Sequence, residues 1–169
     1  MDSRIKEAIW SQYGAAIDTL EAAIKHCPDE VWGDRSNFHE IWYMASHTLF
    51  WLDFYLSGEK EGFVPPAPFG LEELDPAGVL PPRVYTKDEL LDYLEHGRKK
   101  CKDVIRRLTD ETAHQSAGSV RPNLTGLELL LYNMRHIQHH AAQINLLLRQ
   151  RIDSAPKWVS KAGTGLSDG

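Results

Sequence analysis

The sequence predicts an all-α chain: a four-helix bundle with a long proline-rich crossover between its second and third helices. Three observations predict it. Apolar residues recur at three- and four-residue steps in four long segments, and no run alternates with period two. Two capping boxes, Thr86-x-x-Glu89 and Thr125-x-x-Glu128, mark helix starts. A connection over residues 58–85 carries Pro65, Pro66, Pro68, Pro76, Pro81 and Pro82, too many prolines for a helix and too stiff a composition for a flexible linker.

The first helix is expected over residues 3–26, with Ile5, Ile9, Tyr13, Ile17, Leu20 and Ile24 along one face and Asp2 or Ser3 as cap. Pro28 stops it, because proline lacks the N–H that the next hydrogen bond needs. The second is expected over 37–56, from Ser36 as N-cap to the Ser57-Gly58 stop. It is apolar nearly all round, so it must be buried in the bundle or covered by loops or a partner subunit. That excess of apolar circumference predicts a homodimer. In the crossover, residues 71–74 have the pattern of one helical turn, and a loop of this length is expected to be functional or to pack over something. The third helix begins at the Thr86 box and is expected to end near Asp110; the fourth begins at the Thr125 box and runs to about Arg151. Residues 154–169, rich in Gly, Ser and Lys, are expected to be a partly loose tail with Trp158 as its anchor. All 169 residues read as a single domain.

Charge and composition exclude several functions. With 19 Lys and Arg against 24 Asp and Glu, the net charge is −5 and no basic block is present, so a phosphate-tracking nucleic-acid binder is excluded. The most apolar stretch, residues 41–52, contains His47 and falls short of the roughly 20 residues a bilayer requires, so no membrane role is expected. The charged N-terminus lacks a signal-peptide core, so the cytoplasm is the expected location, where Cys27 and Cys101 are expected to stay reduced. The two cysteines form no CxxC pair, and Cys101 falls on an apolar stripe as a small core residue.

Eight histidines remain to be placed. Positions four apart on a helix lie about 40° apart around it and about 6 Å along it, so His136 and His140 project side by side. That is the spacing by which one helix offers two imidazoles to one metal ion. His47, midway along the aromatic second helix between Tyr43 and Trp51, is the candidate third ligand. Two readings stand for it. A metal satisfies one of its nitrogens, or a buried carbonyl or Asn133 does, with His136 and His140 merely lining a helix. His139 points away from the pair, at the rim of the same site. His26 suits a helix C-terminus, His39 lies near the start of the second helix, and His96 shares a solvated face with Asp92, Lys99 and Asp103. His114 forms the chain's one Glu-x-x-His, short of the two that a di-iron carboxylate bundle needs, and no H-E-x-x-H occurs.

Two segments carry a family resemblance. One is Phe38-His39-Glu40-Ile41-Trp42-Tyr43-Met44-Ala45-Ser46-His47-Thr48-Leu49-Phe50-Trp51; the other is Asn133-Met134-Arg135-His136-Ile137-Gln138-His139-His140-Ala141-Ala142-Gln143. With the long crossover between them, the chain resembles the DinB/YfiT family over nearly its whole length. The resemblance implies a four-helix bundle in which three histidines bind a divalent metal, often nickel or zinc, and commonly a homodimer. Carried over by position, the ligands are His47, His136 and His140. It also implies a metal-dependent enzyme class that includes low-molecular-weight thiol S-transferases and a thiol-dependent isomerase, and an enzyme of thiol S-transferase or hydrolase type is the expectation here.

Three neutral imidazoles leave a fourth position for water or a thiolate, the arrangement of a catalytic zinc site. Asn133, Gln143, Tyr43 or Tyr132 are the candidates to orient a small-molecule substrate, and Asp53 is the candidate base at the end of the second helix. The crossover over 58–85 is expected to roof the pocket. The alternative function is a non-catalytic, stress-related protein that binds a metal or ligand through the same residues.

Overall fold

A computed structural model describes residues 1–168. Among them the regular structure is helical: α1 (Ser3–His26), α2 (Ile41–Ser57), α3 (Lys87–Arg107), a short α4 (Asp110–His114) and α5 (Gly126–Ile152), with 3-10 turns at Asp29–Val31 and Glu72–Leu74. The four long helices pack in a ring, α1 and α2 each against both α3 and α5, so that α1 lies diagonally across from α2. The bundle and its crossover therefore match the expected fold class. None of the described helices is long and apolar enough to cross a membrane.

Local chemistry sets the helix ends. Asp2 caps α1 by accepting from the Arg4 N–H at 2.8 Å, and both expected capping boxes form, at Thr86 and Thr125. Gly58 closes α2 in the left-handed region at φ +77°, where a side chain would be strained. Two boundaries differ from expectation. α2 begins at Ile41 rather than Asn37, because the Asp34 and Asn37 side chains accept from the backbone N–H groups of Ser36 and His39, both at 2.7 Å, which gives that segment a turn instead of a helical ladder. α3 ends at Arg107, because Thr109 caps a new helix, α4, by accepting from the Thr112 N–H at 3.1 Å.

The central core joins Trp10, Tyr13, Ile17, Leu20, Trp42, Leu49, Leu90 and Ile137, with Cys101 fully buried among them. A second cluster covers the outer face of α2: Phe50, Phe54 and Tyr55 pack with Phe63 of the crossover and with Ala117, Val120 and Leu129. The excess apolar circumference of α2 is thus covered within the chain, so it does not provide the exposed patch from which a dimer was inferred. The tail also departs from expectation. Trp158 is 75% exposed and anchors nothing, whereas Leu166 is buried at 5% exposure. Trp10 Nε1 donates to the Thr164 carbonyl at 2.7 Å, the Ala162 N–H donates to the Ser11 carbonyl at 2.8 Å, and Arg106 donates to the Leu166 carbonyl, so the returning chain lies along α1 and α3. Gly14 makes room for it: a Cβ there would stand 2.6 Å from Ala162 Cβ.

Candidate metal centre

Two facing helices build the site. α5 presents His136 and His140 one turn apart, and α2 presents His47 opposite them. Their rings converge, with centroids 4.5 Å apart for His136 and His140, 4.9 Å for His47 and His140, and 5.3 Å for His47 and His136. One ligand-type atom from each lies within 4.8 Å of the others.

The far sides of two rings are fixed by hydrogen bonds. His47 Nδ1 donates to Glu73 Oε2 at 2.7 Å, and His140 Nδ1 donates to Gln143 Oε1 at 2.7 Å. Each bond places the proton on Nδ1 and leaves Nε2 with its lone pair directed into the shared space. His140 Nε2 and His136 Nε2 stand 3.1 Å apart. Two nitrogens bound tetrahedrally to one ion at about 2.0–2.1 Å would stand about 3.3 Å apart, so the spacing fits a shared ion. Burial pushes the His136 imidazole down to about 3 and His140 down to about 4, with the neighbouring histidine charges adding to both. Near neutral pH neither ring carries the second proton that would close the site to a cation. An all-imidazole donor set suits a divalent transition metal.

Glu73 is the residue that sequence reasoning missed. It comes from the 3-10 turn of the crossover, is 10% exposed, and also accepts from Trp51 Nε1 at 3.0 Å. Burial alone would raise its carboxyl, but the hydrogen bond and charge of His47, with Tyr43 and Trp51, more than offset this and hold it below the ordinary glutamate value. The pattern is that of a carboxylate that orients a metal-binding imidazole. Its signal in the sequence is weak: an acidic residue in one helical turn of a loop has no spacing relation to His47.

The other expected site residues divide. Tyr43 and Trp51 flank His47, with ring centroids at 6.0 and 6.2 Å. His139 is exposed, its ring 5.1 Å from that of His140, and it lies outside the converging trio. Gln143 holds His140 rather than facing a substrate. Asn133 does not partner His47; it is fully buried and donates to the Leu52 carbonyl at 3.1 Å. Tyr132 is engaged by Arg121 at 3.1 Å. Asp53 is not a base for this site. It is 1% exposed and turned to α3, where it pairs with Lys100 at 2.5 Å, accepts from Tyr93 at 3.1 Å and stands 3.4 Å from His96 Nε2, a half-exposed ring that is therefore not simply solvated. Burial pushes both thiols up, Cys27 to about 11 and Cys101 further, so neither supplies a thiolate near neutral pH. A cavity of about 450 Å³ behind Tyr55, lined by Gly58, Val104, Leu108, Leu129 and Asn133, contains none of the three histidines.

A helical bundle whose facing helices carry three inward histidines defines a class of metal-binding domains. The chain belongs to the DinB superfamily, whose family model matches residues 12–144 and so spans all three histidines. No curated protein and no solved structure matches the chain.

Proposed function

We propose that the protein is a metal-dependent enzyme whose divalent ion, zinc or nickel, is held by Nε2 of His47, His136 and His140. The observation that carries this reading is the convergence of three imidazoles within 4.8 Å, two of them fixed from behind by Glu73 and Gln143. Three protein ligands, rather than the four of a structural site, favour catalysis over a purely stabilising metal. A bound divalent ion supplies Lewis acidity and lowers the pKa of a group coordinated beside the histidines.

The chain's own residues then have definite tasks. Glu73 fixes the His47 tautomer and ring angle, and Gln143 does the same for His140. Trp51 and Tyr55 wall the site with aromatic surface, which limits water and strengthens electrostatic interactions inside it. Family resemblance supports a transferase or hydrolase, with a low-molecular-weight thiol as the candidate small-molecule substrate. It also supports a homodimer, and the N-terminal sequence, without a signal-peptide core, supports a cytoplasmic location. The test is elemental analysis of protein purified without a nickel column, followed by a thiol-transfer assay with and without chelator. Stoichiometric metal and chelator-sensitive transfer are expected; metal-free protein that transfers equally well would overturn the proposal.

A further inference from the structure

The loop between α4 and α5 carries a cation to the His136 side of the site. Residues 116–125 close on themselves through an isolated bridge between Ser116 and Thr125 and through the Ala117 N–H donating to the Leu124 carbonyl at 2.8 Å. Ser119 Oγ ties the loop to the start of the crossover by donating to Glu59 Oε2 at 2.6 Å. Gly118, at φ +75°, permits the close approach, since a Cβ there would stand 2.1 Å from the Gly58 carbonyl oxygen. On this fixed loop Arg121 Nη2 donates to the hydroxyls of Tyr55 at 2.8 Å and Tyr132 at 3.1 Å, and its guanidinium carbon stands 5.3 and 5.2 Å from the two ring centroids. Tyr55 in turn meets the His136 ring edge-on at 6.3 Å, and Tyr132 is one turn before His136 on α5.

We propose that Arg121 is a specificity-determining residue that binds a carboxylate on the substrate, so that the site takes a small bifunctional molecule with one end at the histidines and an anionic end at Arg121. This deepens the metal-site reading and rests on it. Two observations support it. The guanidinium has five N–H donors and spends only Nη2 on the tyrosines, which leaves Nη1 and Nε for a ligand. Among the described residues no carboxylate pairs with the exposed Arg121 and none with Arg35, Arg107, Arg135 or Arg149, but of these five Arg121 is the one held by two tyrosine hydroxyls, one of them on the ring that meets His136. The planar guanidinium fork can meet a carboxylate through two parallel N–H donors.

The test compares two hydroxamate probes on zinc-loaded protein by calorimetry: succinic acid monohydroxamate and its uncharged amide counterpart. In the wild type the carboxylate tail should tighten binding about tenfold or more over the amide. In Arg121→Gln that gain should vanish while the amide probe binds as before, and Arg121→Lys should keep part of it. Equal affinity of the two probes in the wild type, an undiminished gain in Arg121→Gln, or no binding of either probe to zinc-loaded protein would overturn the inference. Failure of the metal reading shows separately, as no zinc uptake. The inference is then decided by succinate binding to the metal-free chain, which Arg121→Gln must weaken; equal binding would overturn it.

Discussion

At the scale of single residues, each histidine has a role set by its partners. His47, His136 and His140 share one space, while His114 Nδ1 bonds its own helix at the Asp110 carbonyl and His96 leans on Asp53. We therefore expect His47→Ala, His136→Ala and His140→Ala each to lose most bound metal by elemental analysis, and His96→Ala and His114→Ala to retain it. Glu73→Gln should keep the fold by circular dichroism but weaken zinc affinity by about 10- to 100-fold, because the carboxylate that orients His47 is lost. The pH dependence follows from burial. His136 and His140 have folded values depressed to about 3 and about 4, below the ordinary imidazole value near 6.5. Below about pH 6.5 the unfolded chain takes up protons that the folded chain refuses, so stability is full above that value and falls as pH drops towards about 4 and then about 3. Protons compete with metal in the same direction. Added zinc should raise the melting temperature at about pH 7.5 and do much less near about pH 5, and equal shifts at both would count against histidine ligation.

At the scale of elements, the sequence was informative wherever one local rule decided the outcome. The Thr86 and Thr125 boxes and the 3.6-residue period placed α1, α3 and α5, and the four-residue spacing of His136 and His140 was visible directly. What it could not show were contacts between elements with no fixed spacing. Glu73 reaches His47 from 26 positions away, and Arg121 reaches Tyr55 from 66 away. Nor did the apolar period show where Asn37 and Thr109 would divert the backbone into turns and a separate α4. The crossover is held to the bundle by Phe69 stacked on Tyr93, centroids 4.3 Å apart, as well as by Glu73. The α2–α3 contact is close at Gly97, where a Cβ would stand 2.7 Å from Leu52 Cδ2. Gly97→Ala gains helix propensity but overpacks a fully buried leucine. A net loss of about 1–2 kcal/mol is expected in urea unfolding, and a more stable variant would contradict this packing.

At the scale of the whole molecule, the ring of four helices places α2 beside α5, so two helices distant in sequence present one set of imidazoles. The tail completes the opposite side by laying Leu166 against α1 and α3. Leu166→Ala should therefore cost about 2–4 kcal/mol in unfolding free energy, whereas Trp158→Ala, at an exposed position, should stay within about 0.5 kcal/mol. Similar costs for the two would contradict the packing of the tail. The central claim is that this fold assembles a three-histidine metal site, and the most direct measurement is the metal content of the wild type and of His47→Ala, both purified without a nickel column and dialysed against zinc. The wild type should hold one ion per chain and His47→Ala close to none. A His47→Ala chain that is folded and still carries its full equivalent of metal would contradict the account.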